Sequence, residues 1–320
     1  MEDSIRVRPA RTSEVGTLAK LVRSRLPDMM ANAEHGENVE SHLSGLIPDR
    51  ALLVATHGTR LAGLGALDLD RHCILACYLD PEIASPDTPR RLFQALEHHA
   101  LRFGIRVLSG KARKRVAGFM RSLGYECVPD RDNPEHIAIR KNLLEEADEA
   151  IVRVIELCDE LGVPEHYGPE HRMPLTLEAD EVIYAGHDIF EREQRLIPAA
   201  AESLQRMREA AMNSGLELKI VSGFRTVAYQ ANLFRRKLDQ GHTIKEILLV
   251  SAPPGYSEHH SGRAVDLTTR GCKPLDEEFG HTKAYQWLVS NARFFGFRES
   301  YPRHNRHRIS WEPWHWYFTR

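Results

Sequence analysis

The sequence predicts an α+β protein of two domains, an α/β domain followed by a domain with a small antiparallel sheet flanked by helices. Its 320 residues are enough for two ordinary domains. Short apolar runs typical of strands alternate with longer amphipathic segments typical of helices. Two glycines and three prolines in residues 162–176 indicate a loop or linker. We therefore predict domains at 1–145 and 181–320, joined by a helix and linker at 146–180.

The N-terminal part has a regular order of strands and helices. The apolar patterns predict strands at 5–8, 51–56, 61–70, 74–79, near 107, 125–128 and 137–140. They predict helices at 12–26, 89–103 and 113–123. In the C-terminal part, the same reasoning predicts helices at 145–161, 198–214, 227–240 and 283–295, with strands at 216–221 and 264–267.

Two short motifs in the C-terminal part contain the types of side chain that a metal-dependent hydrolase needs. They are Ser-Glu-His-His-Ser-Gly-Arg-Ala-Val-Asp at 257–266 and Trp-Glu-Pro-Trp-His at 311–315. Zinc hydrolases use three protein ligands, leave a fourth position for water, and need an unligated carboxylate to take a proton. With 17 histidines, either motif alone would fit a surface loop or a salt-bridged turn. The two motifs together predict a zinc peptidase.

The motifs also resemble a known family. Ser257, His259, Gly262, Ala264 and Asp266 meet the pattern Ser-x-His-x-x-Gly-x-Ala-x-Asp, and Glu312 with His315 meets the later Glu-x-x-His. The likeness continues at 222–226, 229–230, 282–288, 295–297 and 300–302. On these residues, roughly 181–320 resembles the VanY-type D-alanyl-D-alanine carboxypeptidases, in the superfamily of lysostaphin and the Hedgehog signalling domain.

The resemblance implies a function and a set of site residues. It implies one zinc ion per chain, with His259, Asp266 and His315 as ligands and Glu312 as the catalytic base. Arg225 would steady the oxyanion or the substrate carbonyl, and Ser257, Gln230 and Tyr301 would hold the C-terminal residue of the peptide. The implied reaction removes a C-terminal D-alanine from a peptidoglycan precursor or muropeptide, by Glu-assisted attack of a zinc-bound water. D,D- and L,D-specificity both remain open.

The N-terminal order of elements, with the segment 119–125, resembles the GNAT acetyltransferase fold. In GNAT enzymes a glycine-rich turn at a helix N-terminus binds the pyrophosphate of acetyl-CoA. The corresponding residues 83–89 contain no glycine, two prolines and an aspartate, which argues against acetyl-CoA binding. We expect a degenerate domain that serves recognition, stability or dimerisation. Two alternatives stay open: an acetyltransferase with an accessory C-terminal domain, and a non-catalytic zinc-binding module, against which Glu312 argues.

Composition excludes several other classes of protein. The 43 basic and 45 acidic residues nearly cancel, so neither a nucleic-acid-binding nor a polybasic membrane surface is expected. Five cysteines, an odd number, argue against a disulfide framework. The first residues lack the apolar run of a secretory signal, and no stretch is long and apolar enough to span a bilayer. From these features we expect a cytoplasmic protein.

Overall fold

The computed structural model describes residues 5–25 and 38–320, and the chain divides into two compact units, Met1–Ala147 and Asp148–Arg320. Both units mix helices with sheets, which confirms the predicted fold class. The predicted helix at 12–26 is a 3-10 turn at Thr12–Glu14 followed by an α-helix, and its last predicted residue lies outside the described residues. Among the described residues, no helix combines the length and apolar content needed to cross a bilayer.

The first unit is built on a seven-stranded sheet. Its strands are β1 (Arg6–Pro9), β2 (Leu52–His57), β3 (Arg60–Asp68), β4 (Cys73–Leu79), β5 (Val107–Arg113), β6 (Glu126–Pro129) and β7 (His136–Asn142). Their spatial order is β1-β2-β3-β4-β5-β7-β6. Neighbouring strands are antiparallel except β4 and β5, which run parallel and pair only at Cys73–Ser109 and Ile74–Gly110.

Within residues 5–25 and 38–147, four α-helices accompany this sheet: α1 (Val15–Arg25), α2 (Val39–Leu46), α3 (Thr88–Arg102) and α4 (Ala117–Ser122). The sequence reasoning missed α2, whose Leu43 is fully buried against α1 and the sheet. It also began the helix at 113–123 too early, because residues 107–113 are all paired with β7. The helix α3 lies close to β3: a methyl group added at Gly65 would come within 2.8 Å of Leu96.

The second unit carries a four-stranded antiparallel sheet and a separate hairpin. The hairpin is β8 (Ile183–His187) and β9 (Glu193–Leu196); the sheet comprises β10 (Lys219–Ser222), β11 (Ala264–Thr268), β12 (Phe297–Glu299) and β13 (His315–Phe318). Its order is β10-β11-β13-β12, with every neighbouring pair antiparallel. The small antiparallel sheet predicted for this half is therefore confirmed.

The second unit also contains six α-helices. They are α5 (Glu149–Glu160), α6 (Tyr167–His171), α7 (Pro198–Asn213), α8 (Val227–Asp239), α9 (Ile244–Val250) and α10 (Lys283–Asn291). Leu204 and Met207 of α7 pack in one core with Val265 and Leu267 of β11, so those two strand residues face the core. Asp266, between them, faces the opposite side of the sheet.

Residues 162–176, expected to be a loop or linker, contain the short helix α6 and pack within the second unit. Tyr167 is 1% exposed. Upstream, the Cys158 thiol lies 3.3 Å from the carbonyl oxygen of Pro254. The backbone N–H of Thr176 donates to the carbonyl of Gly255 at 2.6 Å. Glycine is required at 255, where φ is +81° and a methyl group would lie 2.1 Å from Val154 of α5.

Candidate metal centre

Three side chains that can bind a metal converge on one side of the four-stranded sheet. Asp266 of β11 lies directly opposite His315 of β13 in the antiparallel register. His259 lies in the 3-10 turn Glu258–Ser261, and Gly262, with φ +64°, turns the chain from there into β11. One ligand atom from each of His259, Asp266 and His315 lies within 4.8 Å of the others, and all three residues are buried.

His259 presents an unused lone pair to this cluster. Its Nδ1 lies 2.6 Å from the carbonyl oxygen of Gly223, which can only accept, so Nδ1 carries the hydrogen. Its Nε2 is buried without a hydrogen-bond partner among the described residues and lies 3.2 Å from Asp266 Oδ2. Burial, and then the charge of Arg225, lower the pKa of His259 to about 4. A neutral imidazole with a free, buried nitrogen is a suitable zinc ligand.

His315 lies between carboxylates on both sides of its ring. Its Nδ1 is 3.0 Å from Asp266 Oδ1, and its Nε2 is 2.9 Å from Glu258 Oε2. Burial alone would lower the pKa of His315, but the hydrogen bonds with Asp266 and Glu258 outweigh it and raise the pKa to about 10. Burial would likewise raise the pKa of Asp266, yet contacts with His259, His315 and Arg225 hold it well below its usual range. Asp266 is therefore ionised.

Glu312 lies beside the three candidate ligands without belonging to their cluster. Its Oε2 is 3.9 Å from His315 Nδ1, and its side chain is 15% exposed. Burial raises the pKa of this carboxyl to about 7, because few polar contacts replace the water that it loses. A carboxyl group with a pKa near 7 can both take and return a proton at neutral pH.

Arg225 and Gln230 form a hydrogen-bonded network behind Asp266. The Arg225 guanidinium donates through Nη2 to Asp266 Oδ2 at 2.8 Å and through Nη1 to Gln230 Oε1 at 3.3 Å. Gln230 in turn donates from Nε2 to the carbonyl of Ala252 at 2.8 Å and is 1% exposed. Since both ends of its amide are engaged by the protein, Gln230 is better placed to position Arg225 than to contact a peptide.

The other two predicted substrate-binding residues are also brought to this region. Ser257 is buried immediately before the turn that carries His259. The Tyr301 ring lies 4.9 Å from the His315 ring, and its backbone carbonyl accepts from the N–H of Glu312 at 3.0 Å. The structure therefore places all eight residues singled out from the sequence in the second unit, around one cluster.

Sequence reasoning missed two charged residues here. Glu258 was treated as a spacer between Ser257 and His259, although an acidic residue next to a metal-binding histidine was a usable signal. Lys237 follows Gln230 by two turns of α8 and therefore shares its face of the helix. Its ammonium group donates to Ser251 Oγ at 3.0 Å, and among the described residues no carboxylate pairs with it. Burial, and then the charge of Arg225, lower the pKa of Lys237.

A second group of aromatic residues joins α6 to the neighbourhood of His315. His171 Nδ1 donates to the carbonyl of His307 at 2.9 Å, and His307 Nδ1 contacts the carbonyl of His171 at 3.1 Å. The Tyr167 ring stacks on His171 at 4.2 Å, and the Tyr301 ring lies 5.8 Å from His307. Residues upstream of the sequence motifs therefore contribute to the surroundings of the cluster.

Known proteins resemble the second unit. Residues 193–320 match the VanY family, described as D-alanyl-D-alanine carboxypeptidase. The chain is 36% identical over 119 residues to YodJ of Bacillus subtilis (strain 168), which is named as a carboxypeptidase; the match covers 36% of this chain and 43% of YodJ. The solved LdcB LD-carboxypeptidase is 30% identical, over 45% of this chain and 70% of that one, with a TM-score of 0.41. The chain spans less than half the length of the curated relatives it matches.

The first unit has different structural neighbours. The solved PaiA N-acetyltransferase of Thermoplasma acidophilum, in complex with coenzyme A, is 17% identical over 43% of this chain and 99% of that one, with a TM-score of 0.32. The predicted absence of acetyl-CoA binding remains a prediction.

Proposed function

We propose, on the premise that residues 193–320 form a VanY-type carboxypeptidase domain, that this protein is a zinc-dependent carboxypeptidase that removes a C-terminal D-alanine from peptidoglycan-type peptides. The observation that carries the proposal is the buried cluster of His259, Asp266 and His315 with the separate carboxyl group of Glu312 beside it. A purely structural zinc site is closed by four ligands and has no use for such a base.

In this proposal, His259 Nε2, Asp266 and His315 Nδ1 would hold one zinc ion per chain. When bound, the ion would act as a Lewis acid toward the scissile carbonyl and would acidify the attacking water. Glu312 takes a proton from that water and returns it to the amine of the leaving D-alanine. Arg225, held by Asp266 and Gln230, contributes positive charge near the developing oxyanion.

Recognition of the free terminal carboxylate needs a cation that is not fully neutralised by the protein. Arg225 is already bonded to Asp266, whereas Lys237 has a hydroxyl partner, Ser251. We therefore assign the carboxylate of the substrate to Lys237, with Ser257 and Tyr301 beside the terminal residue. A compact ammonium group with three donors is suited to one carboxylate oxygen together with a neighbouring hydroxyl.

The central experiment measures D-alanine release by the purified full chain from a pentapeptide ending in D-Ala-D-Ala and from the corresponding tetrapeptide. Elemental analysis of the same preparation should give about one zinc per chain, and a chelator should abolish release until zinc is restored. Faster release from the pentapeptide assigns D,D-specificity, and faster release from the tetrapeptide assigns L,D-specificity. A zinc-loaded protein that releases D-alanine from neither peptide would contradict the proposed activity.

A further inference from the structure

Glu258 places its carboxylate against the outer nitrogen of His315. Its Oε2 accepts from His315 Nε2 at 2.9 Å, and its side chain is 18% exposed. Ser300 donates its hydroxyl hydrogen to the same oxygen, and Arg298 Nη2 lies 3.4 Å from Oε1. These contacts hold the carboxylate in one orientation, with Oε2 directed at His315. None of the roles described above uses this carboxylate.

The position of Glu258 determines which nitrogen of His315 can bind a metal. When zinc binds, the His315 ring gives up one of its two hydrogens, and a carboxylate next to Nε2 favours the form that keeps the remaining hydrogen on Nε2. The lone pair then remains on Nδ1, which lies 3.0 Å from Asp266 Oδ1 and faces the metal cluster. The carbonyl of Gly223 does the same for His259 with the nitrogens exchanged, because it fixes the hydrogen on Nδ1 and leaves Nε2 free.

The two histidines therefore need opposite tautomers, and each has an acceptor on the side away from the metal cluster. The two acceptors differ in kind. His259 has a neutral backbone carbonyl, whereas His315 has a carboxylate, which accepts a stronger hydrogen bond and increases the basicity of the ligating nitrogen.

We propose that Glu258 is a positioning residue that fixes the tautomer and the ring orientation of His315 for zinc binding. The inference rests on the metal centre of the proposed function but not on its substrate. Ser300 and Arg298 hold Glu258 in place, so the arrangement extends from the metal cluster to β12. Glu258 itself has no role as a ligand, an acid or a base in this proposal.

The test compares zinc affinity in the full chain, measured by competition with a chromophoric chelator, for wild type, Glu258→Ala, Glu258→Gln and Ser300→Ala. Loss of such a partner typically weakens metal binding about 10–100-fold, which is the expectation for Glu258→Ala. Glu258→Gln keeps an acceptor oxygen, so its zinc affinity should fall less. The zinc affinity of Ser300→Ala should fall least. The control Glu202→Gln, an exposed glutamate on α7, should bind zinc like wild type.

A second measurement separates positioning from a general loss of structure. With zinc bound to both proteins, the nitrogen chemical shifts of the His315 ring should show hydrogen on Nε2 and metal on Nδ1 in the wild type, and a mixture of the two arrangements in Glu258→Ala. If Glu258→Ala does not fold, the zinc affinity of Glu258→Gln is compared with that of wild type instead. Its melting temperature without metal then serves as the control for an intact fold.

Zinc affinity within about twofold of wild type in a folded Glu258→Ala variant would overturn the proposal. A wild-type protein that binds zinc but releases no D-alanine would overturn the proposed activity alone. A wild-type protein that binds no zinc would overturn both.

Discussion

Asp266 and Glu312 are two carboxyl groups of one buried site whose environments shift their pKa values in opposite directions. Asp266 accepts from Arg225 at 2.8 Å and from His315 at 3.0 Å, and these contacts keep it ionised. Glu312 lacks comparable donors, so burial dominates and raises its pKa to about 7. Divergent pKa values in a shared site separate a permanent anion from a group that exchanges protons. This difference supports the proposed division between ligand and base.

Replacing Glu312 tests that division. Glu312→Gln keeps the shape of the side chain but cannot take a proton, so D-alanine release should fall about 10²–10⁴-fold, the usual contribution of a general base. Zinc content should stay at the wild-type level, because Glu312 is not one of the three ligands. His259→Ala is the matched contrast and should lose both zinc and activity. Loss of zinc from Glu312→Gln would instead identify Glu312 as a ligand.

Replacing Lys237 tests recognition of the terminal carboxylate. Lys237→Met removes the charge and keeps the length of the side chain, so KM should rise about tenfold or more, as expected for loss of a charged hydrogen bond. The kcat should stay within about threefold, because Lys237 takes no part in the proposed proton transfer. Lys245→Met, an exposed lysine on α9, is the control. An unchanged KM would remove Lys237 from the substrate site.

His99 predicts a pH dependence of stability in the first unit. Burial, and then the charges of Arg102 and Arg50, lower its pKa to about 4, below the unfolded value of about 6.5. The unfolded chain therefore binds a proton between these values that the folded unit excludes. The contribution of neutral His99 to the free energy of unfolding is fully present above about pH 6.5. It is lost as the pH falls toward 4, and the loss amounts to up to about 3 kcal/mol.

Hydrogen exchange of β2 and β3 amides in the full chain, followed from pH 7 to pH 4.5, measures this loss. His99→Gln should make the exchange-derived stability less dependent on pH in this interval. His98→Gln, an exposed neighbour, should leave the wild-type dependence in place. If the stability of wild type and of His99→Gln changed equally with pH, the assignment to His99 would be contradicted.

At the scale of elements, the β8–β9 hairpin supports the turn that carries His259. The buried carboxylate of Asp188 accepts from the backbone N–H groups of Phe190 and Arg192 and from the Gln194 side chain at 2.9 Å. Gln194 Oε1 accepts from the N–H of Gly223 at 2.8 Å, and the carbonyl of Gly223 holds His259. An unbroken series of hydrogen bonds therefore joins the hairpin to a candidate zinc ligand.

Asp188→Ala should destabilise the second unit by about 2–4 kcal/mol, because several donors lose a buried, charged acceptor. It should also weaken zinc binding, since Gly223 would no longer be fixed. Chemical denaturation and the chelator competition measure the two effects. Glu193→Ala, exposed in the same hairpin, should change stability by less than about 1 kcal/mol. Equal stability of the two variants would contradict this role for Asp188.

At the scale of the whole molecule, the sequence was sufficient for the class of both domains and for the members of the metal cluster. Those inferences depend on local patterns, such as the strand predicted at 264–267 and the short motifs around His259 and His315. The contact between Glu258 and His315 could not be predicted from the sequence, because it depends on how a turn approaches a strand 57 residues away. The burial of Tyr167 could not be predicted either, since glycine and proline indicate chain reversals but do not show which residues pack around them.

Truncation tests how much of the chain the second unit needs. Residues 148–320 should fold alone and bind zinc with the affinity of the full chain. Residues 181–320 should not, because they lack α5 and α6, whose Val154 and Tyr167 pack against Gly255 and Tyr256 just before the metal motif. Circular dichroism and zinc titration of both fragments make the comparison. A stable, zinc-binding 181–320 fragment would show that the upstream helices are dispensable.

The pairing of Asp266 with His315 links metal capture to the alignment of the sheet. A shift of β13 by one residue along β11 would bring Trp316 opposite Asp266 and turn His315 to the other face. A misaligned molecule would therefore retain only two of the three candidate ligands. Because a metal that binds the native state alone stabilises it by mass action, zinc would select the correctly aligned sheet from its competitors. The supply of metal during synthesis would then influence how much of the chain reaches the native strand register.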